Sequence, residues 1–247
     1  MARSLSQVRE QQIKKDRASF VWLVTGLTAP EKKLVNHVCT HSSVRVVNEY
    51  TAEVTHCIAA TTRRNEQFLT RRTMKYCIAV LQHIPIVSVE WVREIAGVID
   101  AIIQEKRDRH EGGEDGFSLP LEEFPSYEEY WVVGDEQARH LLAGGPRRSL
   151  EQSDGMLFAG LQIEVRGEFK PPLPSRSAIE DLIHRGGGIV RRNDDENDEN
   201  DENDENVMVV VDVGKKEGIR KGVTYYWLLD CISNYQIEDQ TDYQCFV

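Results

Sequence analysis

The chain has 247 residues, 40% of them hydrophobic, with four Trp and a formal net charge of −11. That length holds one large or two small folded units, each near the size at which a core sustains itself. The run NDDENDENDENDEN (193–206) contributes nine of the acids, and removing them from −11 leaves −2; a near-neutral remainder argues against a duplex nucleic-acid binder, which needs a broad basic footprint.

Residues 1–17 read as a polar, helix-prone tail. FVWLVTGL (20–27) is rich in β-formers and meets Gly26, a strand feeding a turn. Ala29-Pro30-Glu31 opens a helix with Pro and an acid in its first turn, and Leu34, Val35 and Val38 follow at helical spacing. Residues 44–47 and 54–59 read as short strands. The spacing of Met74, Cys77, Ile78 and Leu81 predicts a helix over 73–82. A strand over 84–87 and a helix over 88–98 carrying Trp91 complete a small, mainly parallel sheet covered on both faces.

Residues 104–155 break this rhythm: they are charged and glycine-rich, then carry Pro120 and Pro125, and read as a linker with one candidate helix over 135–142. The outline then restarts. A strand over 157–165 runs toward Gly167, and a helix over 177–185 is closed by Gly186-Gly187-Gly188. Strands over 189–190 and 207–213 and a helix over 226–235 holding Trp227 follow. Gly26 aligns with Gly167 and Trp91 with Trp227, so the order is an internal repeat. The second copy leaves only 214–222 for its middle helix, about two turns at most.

Three groups carry chemistry. The Thr25 hydroxyl, the Gly26 N–H and the Lys75 ammonium are donors of the kind that cradle a phosphate. Thr25-Gly26 could also end a strand, and Lys75 could be a solvated helix residue; the repeat tips the reading toward a site. Trp91 and Trp227 read as core anchors, and the glycine triplet as a helix stop. Five Cys (Cys39, Cys57, Cys77, Cys231, Cys245) show no close pairing, and four of them sit in apolar periodic segments as small hydrophobes. Seven scattered His offer no catalytic constellation, so neither an enzyme, a metal nor a cofactor is expected. Arg147-Arg148 are expected to tether the linker against an acid, and 193–206 to be a mobile loop. No apolar run approaches 18 residues and the N-terminus lacks a signal-peptide core, so a soluble, intracellular chain is expected.

Taken in order, LVTGLT (23–28), VTHCIAA (54–60), RRTMKY (71–76), PIVSVEWV (85–92), GPRRS (145–149), LFAGLQIEVRGEFK (157–170), the glycine triplet and VTYYWLLDCISNYQ (223–236) span nearly all of residues 20–240. This organisation resembles a tandem BRCT pair of the breast-cancer-susceptibility type, with the pair in the ring-domain partner BARD as second likeness. The resemblance implies an α/β fold of two BRCT repeats, each a small four-stranded parallel sheet flanked by helices, packed head to tail. Its bounds would be a tail at 1–17, a first repeat at 18–103, a linker at 104–155, and a second repeat at 156–247 with the acidic insertion.

The resemblance further implies a nuclear phosphoserine- or phosphothreonine-peptide binding module of DNA-damage signalling. The first repeat would hold the phosphate and the inter-repeat groove a side chain three residues downstream. By motif position Thr25, Gly26 and Lys75 would bind the phosphate and Thr73 would buttress them. Arg72 would present backbone groups, and its side chain as a further option, to the peptide. The usual pattern has Ser at the place of Thr25, which keeps the hydroxyl and adds a stiff methyl. Cys77, Leu173 and Leu229 would line the +3 pocket; Cys77 stands where the family has Phe, so an aromatic or another apolar +3 residue both fit. The implied partner is a phosphorylated protein. Two alternatives stay open: a reader of modified nucleosomes, favoured by GPRRS and Arg185 with the glycine triplet, and a scaffold with an inactive pocket.

Overall fold

The computed structural model describes residues 20–109, 117–139, 144–191, 207–212 and 222–245. The tail at 1–17, the acidic run and the expected middle helix of the second repeat fall outside the described residues, Gly222 of the last excepted.

Strand β1 (Val21–Thr25) leads into helix α1 (Ala29–Thr40), which Thr28 and Glu31 open with a reciprocal capping box. Strands β2 (Arg45–Val47) and β3 (His56–Ala59) flank β1, and β6 (Ile86–Ser88) completes a parallel sheet of order β2-β1-β3-β6. Helix α2 (Met74–Leu81) is capped by Thr73, and α3 (Val89–Asp108) by Ser88. Trp22 and Trp91 are buried with ring centroids 5.6 Å apart, and the Trp91 indole N–H donates to the Pro125 carbonyl at 2.9 Å.

The second sheet repeats that order as β9-β8-β10-β11, all parallel, from β8 (Gln162–Arg166), β9 (Ile189–Arg191), β10 (Val207–Val211) and β11 (Val223–Thr224). Helix α5 (Arg176–Arg185) lies between β8 and β9, and α6 (Tyr225–Asn234) follows β11. Trp227 is buried in α6 and donates to the Glu238 carbonyl at 2.9 Å, as Trp91 does to Pro125. Both tryptophans are core anchors with a satisfied indole.

Three expectations need correction. Helix α3 runs ten residues past 98, because Ile99 and Ile103 extend the buried stripe of Val92 and Ile95 and Lys106 and Arg107 complement the helix end. The stretch expected as a linker is structured: it holds β7 (Val132–Asp135) and α4 (Gly145–Glu151), and of the helix expected over 135–142 Asp135 ends β7, residues 136–139 form no helix and 140–142 lie outside the described residues. β7 pairs with β5 (Gln67–Thr70), which forms a hairpin with β4 (Thr61–Arg64), making a third sheet of order β4-β5-β7. The hairpin turns at Asn65 and Glu66, both at positive φ (48° and 62°), and was not legible because its strands are polar outside Phe68 and Leu69. The strand expected over 157–165 starts only at Gln162, since residues 157–160 turn around Gly160 at φ 80°.

Helix α2 is the joint between the repeats. It packs on β1 and β3 of its own sheet and on α4, α5 and α6 beyond it, and one apolar cluster runs from Val21, Tyr76 and Val80 to Ile179, Leu182 and Leu228. The GPRRS stretch seals this joint. A Cβ on Gly145 would lie 1.9 Å from the Ser233 carbonyl oxygen, so only glycine lets α4 meet α6 this closely. The Ser149 hydroxyl donates to the Val80 carbonyl, and Arg148 donates through Nε and Nη2 to the Asn234 carbonyl at 3.0 and 2.7 Å. Arg147 pairs with Glu151 within α4 at 3.1 Å.

Candidate phosphate-binding site

Thr25 and Gly26 stand at the C-terminal end of β1, the end at which open parallel sheets take ligands. Gly26 is exposed and holds φ 70°, and the space beside its Cα is open: a Cβ there would meet Ala60 Cβ at 3.6 Å, an ordinary contact. The N-terminus of α2 faces this turn. The Thr73 hydroxyl accepts the Tyr76 N–H at 3.1 Å, which caps the helix, and lies 2.6 Å from the Thr25 hydroxyl. Two hydroxyls so paired use one of their two hydrogens on each other and keep the second for an acceptor outside the pair. Lys75 reaches back over the sheet end and donates to the Val24 carbonyl at 3.1 Å, leaving two of its three N–H groups.

The electrostatics point the same way. α1 and α3 carry Glu31 and Glu90 in their first turns, whereas the first turn of α2 holds no acid. Its partial positive charge and Lys75 therefore lack an anion of the helix's own. Four of the expected residues, Thr25, Gly26, Thr73 and Lys75, thus come together in one corner of the first repeat.

The Arg72 side chain is engaged within the protein. It is 5% exposed, and the guanidinium lies 3.1 Å from Asp135 Oδ1 through Nε and 2.5 Å from Asp230 Oδ1 through Nη2. The Arg72 backbone N–H donates to Gln137 Oε1 at 2.6 Å. Burial alone would lower its pKa, but Asp135 and Asp230 outweigh that and raise it, so the charge is locked on. The Tyr243 hydroxyl donates to Asp230 Oδ2 at 2.7 Å. Arg72 is a buried latch joining β5, β7 and α6, and its side chain is committed before any peptide arrives. Asp135 and Gln137 escaped sequence reading because they lie in the supposed linker; Asp230 was hidden among apolar neighbours in YYWLLDCI (225–232).

Cys77 and Leu229 belong to the apolar cluster shared by the repeats, 1% and 7% exposed, and Leu173 packs against its edge half-buried. Burial pushes the Cys77 thiol up to about 12, partly offset by Arg72, so it stays a neutral thiol. A separate cavity of about 510 Å³ between the hairpin and α3, lined by Arg63, Phe68, Arg93 and Tyr130 among others, includes none of the expected residues. Among the described residues no group of three or more His, Cys, Asp or Glu is placed to hold a metal, and no helix is long and apolar enough to cross a membrane.

The repeated β2-β1-β3-β6 order with a helix-borne Trp in each unit defines a class of paired α/β modules. Residues 19–96, the first unit, match the family model of the BRCA1 C Terminus (BRCT) domain; the second unit copies the sheet order of the first, so the chain is a repeated pair of α/β units. The chain is 25% identical over 254 residues to the protein BREAST CANCER SUSCEPTIBILITY 1 homolog of Arabidopsis thaliana, covering 94% of this chain. It spans about a quarter of the length of that curated relative, 24%. Among solved structures it is similar to the BRCT5-BRCT6 domains of S. pombe Brc1, at 13% identity and a TM-score of 0.49, covering 90% of this chain and 94% of that one. It is also similar to Rad4 BRCT1,2 in complex with a Crb2 phosphopeptide, at 15% identity and a TM-score of 0.28, covering 91% and 96%.

Proposed function

We propose that this tandem pair is a phosphoserine- or phosphothreonine-peptide binding module acting in DNA-damage signalling in the nucleus. The observation that carries the reading is the 2.6 Å contact between the Thr25 and Thr73 hydroxyls beside Lys75 and the open Gly26 turn. A phosphate brings about −1.5 to −2 charges and three acceptor oxygens. Waiting for it are one free hydroxyl hydrogen, the Gly26 N–H, the Lys75 ammonium and a helix end without an acid. The peptide would then run toward the joint between the repeats. Leu173 and Met74, each half-buried against the shared apolar cluster, would receive a +3 apolar or aromatic side chain together with Cys77 and Leu229.

A charge-assisted hydrogen bond is worth about 1.5–3 kcal/mol, so Lys75→Ala should weaken phosphopeptide binding about tenfold or more. Fluorescence anisotropy with a labelled phosphoserine peptide carrying an aromatic at +3, against its unphosphorylated twin, measures this. Equal affinity of mutant and wild type sinks the assignment. Retention of nucleosomes with no phosphopeptide response would favour the chromatin-reader alternative.

A further inference from the structure

Gly26 and Gly167 hold equivalent positions, each one residue past the strand that its sheet is built around. Thr25 pairs with Ala59 as Arg166 pairs with Val211, so the next residues on the neighbouring strands, Ala60 and Asp212, are equivalent too. Here the two repeats differ in kind. Beside Gly26 stands a methyl group that accepts nothing, and the turn lies open. Beside Gly167 stands a carboxylate. A Cβ on Gly167 would lie 2.6 Å from Asp212 Cγ, so the carboxyl group rests on the glycine itself, which holds φ 126°. Asp212 Oδ2 accepts the Glu168 N–H at 3.1 Å and the Phe169 N–H at 3.4 Å, and Asp212 is only 8% exposed.

We infer that the turn formed by Gly167, Glu168 and Phe169 is an anion-binding site whose standing occupant is the chain's own Asp212 carboxylate. A run of backbone N–H groups turned toward one point binds anions irrespective of their source. A carboxylate tethered next to it acts at a millimolar or higher effective concentration and repels a second anion. Free phosphate therefore does not enter this turn. The consequence that a phosphopeptide engages only the first repeat rests on the proposed function; the self-occupied site does not.

The test is amide NMR of the whole chain titrated with inorganic phosphate at constant ionic strength, for wild type, Asp212→Ala and Asp212→Asn. In wild type the Glu168 and Phe169 amides should stay still. In Asp212→Ala they should shift saturably, with phosphate held at least about tenfold more tightly than by wild type. Asp212→Asn keeps the shape and removes the charge, so it carries the test if the alanine variant does not fold. Its two amides should move from their wild-type positions and respond to phosphate while the rest of the spectrum is unchanged. Wild-type amides that respond as strongly as the variants', or variant amides that ignore phosphate, would overturn the inference. Loss of phosphopeptide response at Gly26 and Lys75 would instead count against the function proposed for the first repeat and leave the Glu168 and Phe169 readout intact.

Discussion

Arg72 Nη2 lies 2.5 Å from Asp230 Oδ1, bridging residues 158 apart in the chain, while its Nε lies 3.1 Å from Asp135 Oδ1. The side chains of the three residues are no more than 5% exposed. Such a group is weak as a source of net stability but costly to break, because removing one member strands the others in a low dielectric. Arg72→Ala, which leaves two buried carboxylates facing each other, should cost about 3–5 kcal/mol in chemical denaturation. Arg72→Ala combined with Asp135→Asn and Asp230→Asn should recover part of that loss; no recovery would mean that the arginine acts through packing alone.

Thr73 serves both the helix and the hydroxyl pair. Thr73→Ala removes the α2 cap and should cost about 1 kcal/mol of stability, with a several-fold loss of phosphopeptide affinity. Thr73→Ser keeps the cap and the partner of Thr25 and should stay within about 0.5 kcal/mol of wild type. An alanine variant that binds normally would separate capping from ligand binding.

Gly145 is required by contact with another helix, not by its own backbone. Gly145→Ala sets a methyl 1.9 Å from the Ser233 carbonyl oxygen, so α4 must back away from α6. The expected cost is about 1–3 kcal/mol by calorimetry, with hydrogen-exchange protection falling in α6 and less in β1 and β3. Uniform loss across both repeats would show that the joint and the two cores melt as one unit.

His56 gives the chain a pH dependence of known sign. It is 1% exposed among Phe20, Trp91 and Tyr127, and burial lowers its pKa from the usual 6.5 to about 4. The unfolded chain takes up a proton below pH 6.5 while the folded chain resists until about 4. Its contribution is therefore complete above 6.5 and drains away as pH falls to 4, by about 3 kcal/mol. His56→Phe should flatten the denaturation midpoint between those values; an unchanged slope would place the dependence elsewhere.

The repeat was legible because its signals are local. Val21 to Thr25, the helix over 73–82 and the tryptophans at 91 and 227 announce themselves through β-rich runs, helical spacing and glycine stops. The hairpin β4–β5 was not, since polar Thr61 to Arg64 carry no periodic burial signal. β7 was hidden for another reason: its strand character comes from pairing with β5, more than sixty residues earlier. Asp230 reads as an odd charge in an apolar helix until Arg72 and Tyr243 are seen to meet it.

The donor types at Thr25, Gly26 and Lys75, and the two-fold outline that frames them, were determined by the sequence alone, because residue chemistry and short-range periodicity need no partner. Which of those donors are left for a ligand was decided only by the tertiary structure. Folding consumes Arg72 in a buried latch and sets Asp212 on the second repeat's turn, while Ala60 leaves the first repeat's turn open. The physical reason is that a charged or polar group in a folded chain must find a partner. Whether that partner lies inside the protein or outside it depends on contacts between residues far apart in sequence.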